Sequence, residues 1–245
     1  QLALTIVVPT YNEKANVQPL IALLDKALTK IKWEAVFVDD DSPDGTANEV
    51  RRIARNRSNV RIIHRMGRRG LSGACIEGIL SSAAPFVAVM DGDLQHDETV
   101  LVSMLEAFNT DANLNLVIGS RNVEGGSSGG GLSKIRSLGS DMATLIARRL
   151  LKIQVQDPMS GFFMIRLGSF KEVVGELQRQ GFKILTDLLS ASRGGWKIKE
   201  IPFVFKERQY GQSKMDSAVT LEYFGLILAR LTGGAVSIRF ILFLF

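Results

Sequence analysis

The sequence contains few of the residues that build disulfides or histidine-based catalytic pairs. Its 245 residues include one cysteine, Cys75, and two histidines. A single cysteine excludes an intramolecular disulfide, and we interpret Cys75 as a small buried apolar residue. No motif contains a base next to a nucleophile. The sequence also lacks the interleaved aromatic residues on exposed strands that stack nucleic-acid bases, which argues against a nucleic-acid partner.

Long hydrophobic runs are also missing. The chain begins with a strand-like run, Leu2 to Val8, without the basic region, apolar stretch and cleavage site of a secretion signal. An apolar run near the C-terminus holds only six residues after Arg239, whereas a spanning helix needs about 20. Either this run packs against the domain or the chain is the front part of a longer membrane protein. We expect the second, because a free apolar end promotes aggregation.

The composition that remains is that of a folded domain with a basic surface. Hydrophobic residues make up 46% of the chain, and 30 Lys and Arg against 25 Asp and Glu give a net charge of +5. Such a charge suits anionic partners such as phosphates or acidic lipid headgroups. We expect a catalytic domain over residues 1–215, followed by a membrane-interface helix and the start of a membrane segment over residues 216–245.

Strand-like and helix-like segments alternate along the first half of the chain. Short apolar, β-branched runs are followed by polar loops and then by apolar residues at helical spacing. The predicted strands are Leu4 to Pro9, Ala35 to Val38, Val60 to Ile63, Phe86 to Met90 and Leu114 to Gly119. This alternation predicts an α/β fold with a mostly parallel sheet flanked by helices. Ligands bind such a sheet beyond the carboxyl ends of its strands, so the loops there should share one crevice.

The second half has a less regular pattern. The Gly-rich stretch Glu124 to Ser133 is either a surface excursion or an active-site lid. The predicted elements after it are a basic helix at Ser133 to Leu151, a strand at Phe162 to Ile165, two short helices, an edge strand at Ile198 to Phe205, and an apolar helix at Ser217 to Leu231. The last helix is apolar over so much of its circumference that we expect it in a membrane interface or under a partner.

The sharpest chemical motif is Asp91-Gly92-Asp93-Leu94-Gln95-His96, directly after a buried strand. In extended geometry Asp91 and Asp93 point to the same side, so both offer hard oxygen ligands to one Mg²⁺ or Mn²⁺. Such an ion would neutralise a diphosphate leaving group. An ordinary acidic turn is the alternative. We interpret His96 mainly as a neighbour of the motif, with a contact to the metal or diphosphate left open.

Loops after the neighbouring strands offer groups for a nucleotide. In the acidic cluster Val38 to Thr46, Asp40 and then Asp39 are the candidates for binding a base or ribose, although part of the cluster reads as local capping. The first loop, Pro9 to Glu13, offers the flat face of its tyrosine and a carboxylate acceptor. Arg68 and its neighbours precede a helix N-terminus and form a candidate diphosphate cradle, with a solvated basic loop as the alternative.

A second set of cations lies later in the chain. Arginine suits bidentate phosphate recognition, so two sets around one crevice would serve a second anionic substrate besides the nucleotide. Taken singly, each is an ordinary surface cation. The candidates are Arg121, Arg136, Arg208 and Lys214.

Six motifs together resemble the dolichyl- or polyprenyl-phosphate mannose synthases, in the same order and over most of the chain. They are Pro9 to Glu13, Val38 to Thr46, Asp91 to His96, Gly119 to Arg121, Asp157 to Phe163 and Gly211 to Lys214. The resemblance implies an inverting glycosyltransferase with a nucleotide-binding GT-A fold, GDP-mannose as the donor, a divalent metal, and a dolichyl or polyprenyl phosphate acceptor at the cytoplasmic face of a membrane. The stretch Asp157 to Phe163 is similar to this branch rather than to the relatives that transfer glucose.

The resemblance also implies roles for individual residues. Asp91 and Asp93, with Arg121 and Arg208, would form the catalytic centre, and the metal would be held by Asp91, Asp93 and Gln95. The nucleotide would be bound by Pro9, Tyr11, Glu13, Val38, Asp40 and Arg68. The acceptor phosphate would be bound by Arg121, Arg136, Ser140, Arg208 and Lys214.

A phosphate acceptor explains the absence of a catalytic base. A phosphate monoester has a second pKa of about 6, so it is already anionic near neutral pH and needs no deprotonation. The alternatives left open are a polyprenyl-phosphate glucosyltransferase that uses UDP-glucose, a metal-dependent phosphatase of the haloacid dehalogenase kind, and a non-enzymatic nucleotide-binding module. The aspartate motifs do not match the phosphatase pattern cleanly.

Overall fold

The structure is a computed structural model that describes residues 1–127, 155–178 and 184–206. In these ranges seven strands form one sheet in the order β3-β2-β1-β4-β6-β5-β7. The strands are β1 (Leu4–Thr10), β2 (Trp33–Asp39), β3 (Val60–His64), β4 (Phe86–Val89), β5 (Leu114–Ser120), β6 (Phe163–Arg166) and β7 (Lys197–Pro202).

Helices cover both faces of this sheet. The described helices are α1 (Lys14–Ala27), α2 (Thr46–Ala54), α3 (Leu71–Leu80), α4 (Val100–Thr110), α5 (Leu167–Val173) and α6 (Ile184–Ala191), with a 3-10 turn at Val174–Glu176. Residues of α1, α2 and α4 pack in one apolar cluster, and residues of α3, α5 and α6 pack in the cluster on the opposite face. Because the central strands are buried on both sides, their sequences are almost continuously apolar, as expected for a covered parallel sheet.

The α3 helix approaches the sheet closely because it has a glycine at the contact. A Cβ placed on Gly78 would lie 2.4 Å from Val7 Cγ1 and 3.0 Å from Val38 Cγ2. Close approach buries Cys75 completely, in agreement with its interpretation as an apolar core residue. Burial also raises the pKa of the Cys75 thiol far above its ordinary value.

The sequence-based expectation of an α/β fold with a mostly parallel sheet is confirmed, with one reversal of direction. Parallel pairs join β1 to β2 and β4, β2 to β3, and β5 to β7, whereas β6 runs antiparallel to both β4 and β5. A short apolar run such as Phe163–Arg166 carries no signal for strand direction. The reversal places the start of β6, and the loop before it, beside the carboxyl ends of the parallel strands.

The predicted edge strand is present but shorter at its end. It stops at Pro202 rather than at Phe205, because β5 ends at Ser120. The Phe203 N–H still donates to Ser120 O, but the Phe205 N–H donates to Ser127 O, beyond the end of β5. In the described residues, no helix is long and apolar enough to span a membrane. The predicted helices at 133–151 and 217–231, and the proposed segment 216–245, lie outside the described residues.

Candidate active site

Loops at the carboxyl ends of β1, β2 and β4 contact one another, as the parallel arrangement predicts. Thr10 at the end of β1 donates a hydrogen bond from Oγ1 to Asp39 Oδ1 at 3.1 Å. The backbone N–H of Glu13 donates to Thr46 Oγ1 at 3.0 Å. A Cβ on Gly92 would lie 3.3 Å from Thr10 Cγ2, so the turn after β4 packs directly on the loop after β1.

The turn after β4 presents the two carboxylates of the Asp91-Gly92-Asp93 motif. The hydrogen bonds between β4 and β1 end with Met90 N–H to Val7 O, and the chain then reverses, with Leu94 at a φ of +65°. The Asp91 side chain is 38% exposed. Asp93 is buried, and its Oδ1 accepts a hydrogen bond from the backbone N–H of Gln95 at 3.1 Å.

The side chain of Gln95 is oriented by a neighbouring segment. Its Nε2 donates to Lys206 O at 2.9 Å, while Lys206 N–H donates to Gln95 O at the same distance. Because Nε2 makes this hydrogen bond, Oε1 is the terminal atom of Gln95 that would contact a cation. Hard cations prefer such oxygen ligands.

These side chains fit a divalent cation that is completed by substrate oxygens. Two carboxylates and an amide oxygen are hard donors, and Mg²⁺ usually takes one or two protein carboxylates together with phosphate oxygens. Among the described residues, no group of three or more His, Cys, Asp or Glu side chains is arranged to hold a metal ion by itself. The chemistry of the donors therefore suits a hard divalent cation.

Asp40, the predicted nucleotide ligand, forms a buried pair with Arg65. Arg65 Nη1 lies 2.5 Å from Asp40 Oδ1, and the Gly70 N–H donates to Asp40 Oδ2 at 2.7 Å. Burial raises the pKa of Asp40, and the hydrogen bond from Gly70 and the charge of Arg65 oppose that shift. Asp40 thus joins the end of β2 to the loop before α3. Sequence reasoning missed Arg65, since a contact across 25 positions has no local signature.

The remaining nucleotide candidates divide between the crevice and the core. Tyr11 carries the guanidinium of Arg69 over its ring, with Arg69 Cζ 4.5 Å from the centroid. Glu13 is buried and accepts a hydrogen bond from Asn16. Pro9 lies within β1, Arg68 pairs with Glu77 on an exposed surface, and the side chain of Val38 is fully buried.

The acidic cluster around Asp40 also supplies local capping, as the sequence indicated. Asp39 is fully buried, and its carboxylate accepts hydrogen bonds from the N–H and the hydroxyl of Ser42. Asp44 accepts from the N–H and hydroxyl of Thr46 at the start of α2. These two carboxylates therefore hold the loop that presents Asp40.

Arg121 is held by a carboxylate from the motif before β6. Its Nε and Nη2 each lie 2.8 Å from an oxygen of Asp157, and its backbone N–H also donates to that carboxylate at 3.1 Å. Asp157 is 1% exposed. Glu200 on β7 accepts the backbone N–H groups of Gln156 and Asp157, so its carboxylate fixes the loop whose Asp157 holds Arg121.

Four predicted acceptor ligands lie outside the described residues, namely Arg136, Ser140, Arg208 and Lys214. Among the described candidates, those in the loops after β1, β2 and β4 lie together. Arg121 after β5 reaches the same region through Phe205, whose ring contacts both its guanidinium and His96. Sequence reasoning noted the stretch Asp157 to Phe163 only as a resemblance. The available signal was the acidic residue Asp157 in that stretch, but its pairing with Arg121 depends on the antiparallel placement of β6.

Residues 5–174 match glycosyl transferase family 2. The chain is 37% identical over 227 residues to the dolichol-phosphate mannosyltransferase of Pyrococcus furiosus, covering 91% of this chain and 62% of that relative. It therefore spans less than two thirds of the length of that relative. It is 36% identical over 247 residues to the dolichol-phosphate mannosyltransferase of Mycosarcoma maydis, covering 97% of this chain and 83% of that one.

Solved structures share the fold at low sequence identity. A glucosyl-3-phosphoglycerate synthase from Mycobacterium tuberculosis, in complex with Mn²⁺, UDP and phosphoglyceric acid, has a TM-score of 0.72 at 18% identity and covers 94% of this chain and 78% of its own. The mannosyltransferase PcManGT from Pyrobaculum calidifontis, in complex with GDP-Man and Mn²⁺, has a TM-score of 0.62 at 18% identity and covers 95% and 63%. These neighbours confirm the GT-A-like fold, and the sequence relatives confirm the resemblance drawn from the six motifs. The chain therefore belongs to glycosyl transferase family 2, in the group that includes the dolichol-phosphate mannosyltransferases.

Proposed function

We propose that this chain transfers mannose from GDP-mannose to a dolichyl or polyprenyl phosphate, with inversion, to give a β-linked mannosyl phosphate lipid. The observation that carries the proposal is the turn after β4, where the Asp91-Gly92-Asp93 motif packs on the loop after β1 in a chain 36 to 37% identical to dolichol-phosphate mannosyltransferases. The relatives' names support the sugar and the lipid phosphate, and the PcManGT complex with GDP-Man supports the donor.

Asp91, Asp93 and Gln95 would hold a Mg²⁺ or Mn²⁺ ion, as the neighbours crystallised with Mn²⁺ suggest. When bound, the ion would neutralise the charge that develops on the departing diphosphate. The loops after β1 and β2 would bind the nucleoside, with Tyr11 against the base and the buried Asp40 holding the shape of the pocket.

The acceptor needs positive charge rather than a base. A lipid phosphate is anionic near neutral pH and can attack the anomeric carbon from the face opposite GDP without losing a proton first. His96, which follows the Asp91-Gly92-Asp93 turn, is a poor base at neutral pH, since burial lowers its pKa to about 4. Arg121 would help to orient the phosphate, together with Arg136, Ser140, Arg208 and Lys214.

A lipid acceptor also places the reaction at a membrane. The basic charge of the chain suits the anionic cytoplasmic surface, so we assign the enzyme to the cytoplasmic face of a membrane.

A panel of sugar nucleotides tests the donor. Purified protein is incubated with polyprenyl phosphate, a divalent metal and labelled GDP-mannose, UDP-glucose or UDP-mannose, and the label in the organic phase is measured. We expect transfer from GDP-mannose and a β-linked product. Preferred transfer from UDP-glucose would support a glucosyltransferase instead, and release of inorganic phosphate without transfer would support a phosphatase.

Two variants separate the donor and acceptor roles in the same assay. Asp93→Ala should abolish transfer, because it removes a metal ligand. Arg208→Ala should raise the KM for the lipid phosphate more than it raises the dissociation constant of GDP. Wild-type turnover by either variant would remove the corresponding role from the proposal.

A further inference from the structure

His96 is a buried polar side chain that the proposed mechanism does not use. It is 3% exposed and follows the Asp91-Gly92-Asp93 turn in sequence, with its ring folded back against Asp91. Nδ1 accepts a hydrogen bond from the backbone N–H of Asp91 at 3.0 Å. Because Nδ1 is the acceptor, the neutral ring carries its proton on Nε2, which lies 3.7 Å from Asp91 Oδ2. One ring therefore faces both the backbone and the carboxylate of Asp91.

The hydrogen bond to His96 lies where β4 ends. Met90 N–H still donates to Val7 O of β1, whereas the next amide, that of Asp91, points to the other side of the chain, where the pairing with β6 ends at Val89 and Phe163. An amide at this position needs another acceptor or water. His96 supplies that acceptor at the point where the backbone turns away from the sheet.

Three aromatic rings hold the imidazole in place. Phe162 stacks on it, with centroids 5.0 Å apart and an interplanar angle of 11°. Phe203 and Phe205 meet it edge-on, at 5.6 Å and 5.8 Å. These rings come from the loop before β6 and from the segment after β7, so the orientation of His96 is set by elements distant in sequence.

We propose that His96 is a positioning residue that fixes the backbone of the Asp91-Gly92-Asp93 turn, and thereby directs the Asp91 carboxylate toward the metal–diphosphate. This inference rests on the proposed function, which gives Asp91 its role as a ligand. Groups behind a metal ligand typically change metal affinity by about 10- to 100-fold when they are removed. A displaced Asp91 would weaken binding of the metal–nucleotide complex even if the rest of the fold were intact.

A purely structural role for the ring predicts a different outcome, and two substitutions distinguish the two roles. His96→Phe keeps a ring for the aromatic cluster but removes the acceptor for the Asp91 N–H. His96→Asn keeps an acceptor, since Oδ1 can occupy the place of Nδ1, but loses the ring. Phe86→Leu is the matched control, because it removes an aromatic contact with Phe108 at the opposite end of β4.

The test is Mn²⁺ binding in the presence of GDP, followed by the electron paramagnetic resonance signal of free Mn²⁺, with thermal unfolding measured on the same samples. We expect His96→Phe to unfold cooperatively near the wild-type temperature but to bind Mn²⁺ with GDP about tenfold more weakly. His96→Asn should unfold at a lower temperature and keep most of the affinity. Phe86→Leu should also unfold at a lower temperature, with unchanged affinity.

Several results would overturn the inference. Wild-type affinity in His96→Phe would do so, as would a tenfold loss in His96→Asn, or affinities that simply follow the unfolding temperatures across the set. If His96→Phe does not fold, His96→Gln takes its place with the same expected tenfold loss, because the terminal amide of glutamine lies where Nε2 lies and leaves no acceptor at the place of Nδ1. Absence of Mn²⁺ binding by the wild-type protein would overturn the inference together with the metal role. Normal Mn²⁺ and GDP binding without mannose transfer would refute only the proposed function.

Discussion

Two arginine–carboxylate pairs determine how the loops of the site are held. Arg65 and Asp40 fix the loop after β2, and Arg121 and Asp157 fix the loop after β5. The sequence predicted that Asp40 and Arg121 would lie at strand ends, because each follows an apolar β-branched run. It did not predict their partners, since pairing across 25 and 36 positions depends on the tertiary arrangement.

The pair between Arg121 and Asp157 should be important for both stability and acceptor use. Removing one partner of a buried pair leaves an uncompensated charge, so we expect Asp157→Asn to lower the free energy of unfolding by about 3 kcal/mol in urea titrations. The KM for the lipid phosphate should rise more than the KM for GDP-mannose, because Arg121 loses its orientation.

The matched control for this variant is Asp111→Asn. Asp111 pairs with Lys197 on the surface, where solvent screens the two charges, so its loss should lower the free energy of unfolding much less than Asp157→Asn does. Equal destabilisation by both variants would show that the Arg121–Asp157 pair contributes no more to stability than a surface pair does. Equal changes in both KM values would argue against a specific effect on the acceptor.

Gly161 allows the Asp91 carboxylate to lie against the backbone before β6. A Cβ at this position would be 3.1 Å from Asp91 Oδ2 and 3.4 Å from Oδ1. We expect Gly161→Ala to displace the carboxylate by a few tenths of an ångström and to lower turnover by about tenfold. Gly175→Ala, where nothing lies within 4 Å of the added Cβ, is the control and should turn over normally. A fully active Gly161→Ala would show that the position of Asp91 tolerates this shift.

At the scale of helices and strands, the hydrophobic pattern predicted the elements better than their directions. The strands of the first half were predicted because they are covered on both faces and contain almost no polar residues. The antiparallel direction of β6 was not predicted, since a four-residue apolar run has the same pattern in either direction. That direction brings Asp157 and Gly161 to the site. Because the direction was not predicted, their contacts were not predicted either.

The close packing of α3 on the sheet gives a stability prediction for this layer. Gly78→Ala would place a methyl group 2.4 Å from Val7 Cγ1, in a region where the surrounding side chains are fully buried. We expect the free energy of unfolding to fall by about 2 kcal/mol, since overpacking exceeds the gain in helix propensity. Gly168→Ala, in α5 with open space around it, should leave stability unchanged or raise it slightly. Equal stability of the two variants would contradict the close contact.

In the molecule as a whole, two kinds of site lie at the carboxyl ends of the parallel strands. The loops after β1, β2 and β4 present the groups proposed for the nucleotide and metal, and the loop after β5 presents an arginine for a second anion. This division follows from the sheet order, in which β6 separates β5 from the other parallel strands. A sequence of this kind could therefore indicate the chemistry of the site from its motifs, while the grouping of the ligands required the fold.

In the proposed reaction a lipid phosphate, and not a hydroxyl, receives mannose from GDP-mannose. The most direct measurement compares polyprenyl phosphate with polyprenol as acceptors for labelled GDP-mannose, with Mn²⁺ or with a chelator, and counts the label in the organic phase. We expect label with polyprenyl phosphate and Mn²⁺, and none with polyprenol or the chelator. Equal labelling of the two lipids, or no labelling of polyprenyl phosphate, would contradict it.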